Sequence, residues 1–146
     1  MSTGKSIDPE TTAESLHSAA IHLLRKLRRI DTASGLNAPR LSALSVIVFA
    51  GPITLGQLAN AEQVRPPTMT RIVNALQTKG LVKKTASAKD RRTIHLSATM
   101  RGKRLLLQAR NRRVHSLAHQ IQILPRPELQ TLHTAIAIIN NLTRAP

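Results

Sequence analysis

The chain has 146 residues, 41% of them hydrophobic, which suits one compact domain or a small domain with dimerising extensions. Aromatics make up 1%, Phe49 alone, so the core must be Leu, Ile, Val and Ala, and the lack of aromatic stacking platforms argues against most single-strand binding modes. A formal net charge of +15 calls for a polyanionic partner, and the absence of cysteine excludes disulfides and thiol redox sensing.

No apolar run approaches the ~18 residues of a membrane span, and no signal-peptide pattern opens the chain. The expectation is a cytoplasmic protein with no membrane partner. The acids are Asp8, Glu10, Glu14, Asp31, Glu62, Asp90 and Glu128. Most lie outside the stretch that carries the motifs below.

Residues 1–9 are polar and are expected to fray. A first helix follows over residues 10–30. Leu16, Ala20, Leu23, Leu24, Leu27 and Ile30 make its apolar stripe, and Arg25, Lys26, Arg28 and Arg29 match the dipole at its C-terminal end. A loop with Gly35 leads to Asn37, which caps a second helix over residues 39–50 with Pro39 in its first turn. That helix is expected to bury Leu41, Leu44, Ile47 or Val48, and Phe49. Gly51-Pro52 ends it.

Residues 54–99 organise the rest. Thr54 followed by Gln57 makes a capping box for a short helix that buries Leu55, Leu58 and Ala59. A turn over residues 60–64 follows, with Val64 plugging the gap to the next helix. In that helix Met69, Ile72, Val73 and Leu76 fall at i, i+3, i+4 and i+7, one buried face. The opposite face carries Thr68, Thr70, Arg71 and Asn74, groups that suit base edges and phosphates in a major groove. Pro66 and Pro67 start the helix, its free N-terminal amides would attract phosphate, and Gly80 supplies a left-handed stop.

After Gly80 the period changes from helix to strand. Leu81 and Val82 open one strand. Ile94, Leu96 and Ala98 alternate with polar residues in a second, half-buried one. The tip between them holds Lys89, Asp90, Arg91 and Arg92, a cationic hairpin fit for phosphates or a narrow minor groove. Asp90 is expected to orient Arg92. Arg40, at the start of the second helix, is a further candidate phosphate contact.

Thr99 caps a long helix over residues 100–124, basic in its first half, which Pro125 and Pro127 break. The last helix, residues 128–142, carries Leu129, Leu132, Ile136 and Ile139 at helical spacing. It is too apolar to face solvent, and the simplest cover is a second copy of the chain.

The run Leu58-Ala59, Val64, Thr68 to Val73, Leu76 and Lys79 to Val82, then Asp90 to Arg92, then Thr99 with Gly102, resembles the MarR (multiple antibiotic resistance regulator) family. The likeness spans roughly residues 16–142. It implies a mainly α (α+β) fold, a winged helix-turn-helix over residues 39–99 within a single domain of residues 1–146. Residues 10–30 and 100–146 would then be dimerisation helices. It further implies a homodimer on a palindromic double-stranded operator, acting as a ligand-responsive repressor without cofactor. Thr68, Thr70 and Arg71 would meet DNA from the helix, and Arg92, anchored by Asp90, from the wing. Family members often bind a small anionic aromatic ligand. Where the family often has a small polar residue before the reading helix, this sequence has Arg65-Pro66-Pro67.

Two alternatives keep the charge but change the role. One is a zinc-responsive regulator using His115 and His119, four apart on a helix, with His22. The other is an architectural protein that coats DNA without sequence choice. No nucleophile–base pair, paired carboxylates or phosphate-cradling glycine loop points to an enzyme.

Overall fold

The computed structural model describes residues 7–144. Residues 1–6 of the stretch expected to fray lie outside the described residues, but Asp8 and Pro9 do not behave as a frayed end. Asp8 caps α1 (Pro9–Asp31), accepting from the Thr11 amide at 3.0 Å and from its hydroxyl at 2.6 Å. A short 3-10 turn at Thr32–Ser34 leads to α2 (Ala38–Ala50), whose cap is Asn37, accepting from the Arg40 amide at 3.1 Å.

Beyond α2 come β1 (Ile53–Thr54), α3 (Leu55–Ala61), α4 (Pro66–Thr78), β2 (Val82–Ala86), β3 (Ile94–Ala98), α5 (Met100–Ile121) and α6 (Arg126–Arg144). Two strands were expected and three are present. The order is β1-β3-β2, all antiparallel, with Ile53 opposite Leu96 and Val82 opposite Ala98.

The chain forms two compact units, one up to Arg110 and one from Asn111. In the first, α2 and α3 both pack on α4, and α2 packs on β3. Leu44, Leu58, Met69, Val73, Leu76 and Leu96 are buried to within 1% at that junction. Phe49 is not among them. It is 79% exposed, while Ala43 is fully buried. Phe49 lies two residues past Ile47, about 200° round the helix from the buried face. Ile94 is also more exposed than expected, at 49%, at the end of the ladder opposite Ala86, the pair next to the hairpin tip.

The start of α5 is pinned to this unit by Thr99. Its amide donates to the Leu81 carbonyl at 3.0 Å, its hydroxyl donates to the Gly80 carbonyl at 2.7 Å, and its Oγ1 accepts from the Gly102 amide at 3.0 Å. Gly102 lets the helix approach the strand, since a Cβ there would stand 2.2 Å from the Leu81 carbonyl oxygen. The apolar face of α1 is largely uncovered: Leu16, Leu23 and Leu24 are 37%, 46% and 48% exposed.

The second unit is the remainder of α5 and α6. α5 stops at Ile121 rather than residue 124. Pro127 falls inside the first turn of α6 instead of breaking a helix, as a first-turn proline costs no hydrogen bond. α6 has no buried residue, and Ile136, Ile138 and Leu142 stand open.

Candidate nucleic-acid interface

α3 begins with the expected capping box. The Gln57 amide donates to Thr54 Oγ1 at 3.2 Å, and the Thr54 amide donates to Gln57 Oε1 at 3.0 Å. The turn out of α3 closes when the Val64 amide reaches back to the Ala59 carbonyl at 2.9 Å. Gln63 takes the left-handed conformation there, φ 53°, a small strain for a residue without glycine's freedom. Val64 packs partly into the core, as its position in the sequence implied.

α4 divides cleanly. Met69, Val73 and Leu76 are fully buried, whereas Thr68, Thr70, Arg71 and Asn74 are exposed. The buried side fixes the helix against α2 and α3, so the polar side is presented rigidly. Pro66 and Pro67 occupy the first two helical positions. Neither has an N–H, and the Met69 amide is already bonded to the Arg65 carbonyl. Of the first three helical residues only Thr68 retains an amide to offer a phosphate, fewer than the sequence reading assumed. Thr70 donates its hydroxyl to the Pro66 carbonyl at 3.0 Å, leaving its lone pairs and methyl outward.

Gly80, at φ 69°, ends the helix as expected and turns the chain into β2. The hairpin tip is ordered by Asp90. Its Oδ1 accepts from the Arg92 amide at 2.9 Å, its Oδ2 from the Thr93 hydroxyl at 3.2 Å, and its carbonyl from the Thr93 amide at 2.9 Å. Asp90 therefore positions Arg92 through the backbone, by bending the turn. Lys89, Arg91 and Arg92 are all exposed around it.

Sequence reasoning missed Lys84, whose Nζ donates to Asn74 Oδ1 at 3.0 Å and ties the wing to α4. Strand alternation with Leu96 was the available signal. Arg40 is half-buried in the first turn of α2. His22, His115 and His119 are exposed, and no three His, Asp or Glu side chains among the described residues gather as a metal site. The zinc alternative draws no support from this geometry. Among the same residues no single helix is long and apolar enough to cross a membrane.

A helix-turn-helix that bares a polar face, beside an antiparallel hairpin with a cationic tip, is a winged helix-turn-helix, a DNA-binding module. The family model for MarR matches residues 36–94. An HTH-type transcriptional regulator of Mycobacterium tuberculosis is 35% identical over 123 residues, 84% of this chain and 86% of that protein. The chain belongs to the MarR family of DNA-binding transcriptional regulators and is not an enzyme. Among solved structures, RV1404 from M. tuberculosis superposes with a TM-score of 0.83 at 20% identity, covering 96% of this chain and 97% of that one. A mutant of S. aureus MepR bound to an oligodeoxyribonucleotide gives a TM-score of 0.71 at 15% identity, covering 91% and 98%.

Proposed function

We propose that this chain is a homodimeric, sequence-specific repressor of the cytoplasm that binds a palindromic operator. One observation carries the reading: α4 buries Met69, Val73 and Leu76 on one face, with Ile72 half-buried beside them, and is bare and polar on the other, next to an exposed, Asp90-ordered cationic tip. Each copy lays α4 in a major groove, with half-sites one helical turn apart, ~34–36 Å. Thr68, Thr70, Arg71 and Asn74 meet base edges. Lys89, Arg91 and Arg92 reach backbone or minor groove, and Arg40 and the helix start at Pro66-Pro67 lie against phosphates. The open apolar faces of α1 and α6 suit cover by a second copy, which supports reading residues 10–30 and 100–146 as dimerisation helices and 39–99 as the DNA-reading module.

A small anionic aromatic inducer, bound between the dimer helices and the reading module, would lower DNA affinity by changing the spacing of the two reading helices. That part rests on family likeness alone. The test is selection of bound fragments from the source genome, followed by footprinting. The expected footprint has twofold symmetry, and random duplex should bind at least ~10³-fold more weakly. Equal affinity for both would favour an architectural coat protein.

A further inference from the structure

The Lys84–Asn74 bond joins the middle of α4 to β2. Lys84 stands opposite Leu96 in the ladder, so the two side chains share one face of the sheet, and Leu96 is buried. Between that face and α4 lies a cleft of about 110 Å³ whose lining includes Leu55, Thr70, Val73, Asn74, Lys84 and Ile94. The lysine stem runs along this apolar cleft and its ammonium emerges at Asn74. An ammonium has only donors, so the amide that meets it must turn its oxygen toward the wing and its NH₂ away.

The geometry points to Lys84 as a positioning residue for base reading: it fixes Asn74 as a hydrogen-bond donor to DNA. The inference rests on the proposed function and adds which bases position 74 selects. An asparagine specifies adenine by using oxygen and NH₂ together, on N6–H₂ and N7. Lys84 takes one of that oxygen's two lone pairs and turns the amide toward the wing, which works against the bidentate geometry and leaves the NH₂ as the group more freely offered. The free NH₂ addresses single acceptors: guanine N7 or O6, thymine O4, adenine N7. It rejects cytosine, which offers only a donor in the major groove. Thr70, one turn earlier on the same flank, has spent its hydroxyl proton on Pro66 and offers acceptor and methyl instead.

The experiment uses full-length protein and an operator varied at each base pair, titrated at several salt concentrations. Lys84→Met keeps the stem over the cleft and removes the donor. Asn74→Ala removes the reader, and the double variant closes the cycle. In the unmodified protein one base pair per half-site should disfavour cytosine by about three- to tenfold, the size of one hydrogen bond. Asn74→Ala should erase that preference. Lys84→Met should move it toward adenine, because the freed amide offers both its groups. The double variant should match Asn74→Ala in preference.

Two results would overturn the inference. One is a Lys84→Met protein weakened equally on every operator variant, with its salt slope lowered by about 0.9 per lysine, which marks a plain phosphate contact. The other is a Lys84→Met protein with unchanged preferences. Failure of the underlying function looks different: the unmodified protein would show no preference between operator and random duplex, and both readings would fall together.

Discussion

Replacing Gly102 by alanine tests whether the joint between α5 and the reading module is as tight as the geometry states. The added Cβ would stand 2.2 Å from the Leu81 carbonyl oxygen, 3.1 Å from its carbon and 3.3 Å from Leu44 Cδ1. Ordinary carbon–oxygen contact is more than 1 Å longer, and the first obstacle is backbone, so the helix must back away. Overpacking of this kind costs about 1–3 kcal/mol. Retreat also stretches the 3.0 Å bond from the Thr99 amide to the same carbonyl, a further 0.5–1.5 kcal/mol or so. Better helix propensity returns about 1 kcal/mol. The net is a loss of roughly 2 kcal/mol, or a Tm lower by about 4–8 °C at this chain length. Gly56→Ala in α3 is the control, since nothing lies within 4 Å of its Cβ, and it should stabilise by about 0.4–1 kcal/mol. Thermal and urea unfolding by circular dichroism reads both. If Gly102→Ala proved as stable as Gly56→Ala, the close approach would be refuted.

Arg92→Ala should weaken operator binding and reduce the salt slope by about 0.9 per wing, measured by fluorescence anisotropy across a salt series; intact affinity would end the wing assignment. Asp90→Ala loses the bonds to Arg92 and Thr93 and should weaken DNA binding severalfold. Asp90→Asn keeps an acceptor, drops a negative charge beside DNA and should bind at least as well as the parent; the opposite ranking would mean that the turn does not position Arg92. Leu24, 48% exposed, lies outside the core formed by the described residues, so Leu24→Glu should yield a folded monomer by sedimentation with much weaker operator binding, whereas an intact dimer would move the interface elsewhere.

What the residues announced beforehand was local. The Thr54–Gln57 box, the Asn37 and Thr99 caps, the Gly80 stop and the buried face of α4 all rest on partners within a few residues, and rules of spacing find them. What they concealed was pairing at a distance. β1 is two residues long, too short to show alternation, and exists because Ile53 and Thr54 find Leu96 and His95. Phe49 looked like core by composition but sits at the wrong angle on α2. In the site, the exposed face of α4 and the cationic tip were legible because solvent-facing polarity interrupts the apolar period. That Asp90 holds Arg92 through its backbone amide was not, since spacing does not say which group of the arginine the carboxylate meets, and Lys84's bond to Asn74 left only strand alternation with Leu96 as its trace.

Salt should act on this protein with opposite signs in its two states. From Gln63 to Pro127 the only acid is Asp90, while lysine and arginine recur throughout, so the free chain repels itself. Two of its main joints do not depend on that charge: Thr54 with Gln57 and Thr99 with Gly80 and Gly102 are hydrogen bonds between uncharged groups. Screening therefore relieves repulsion without loosening the frame, and Tm of the free protein should rise between low salt and about 0.5 M, where the Debye length falls to several ångströms. Bound operator relieves the same repulsion at source. At a DNA concentration one hundred times Kd it should add about 2.7 kcal/mol, or roughly 5–10 °C in Tm. That gain should shrink as salt rises, because counterion release drives the binding. Melting curves with and without operator should thus converge with salt. Parallel curves would mean that the cationic surface and the DNA-binding surface are different places.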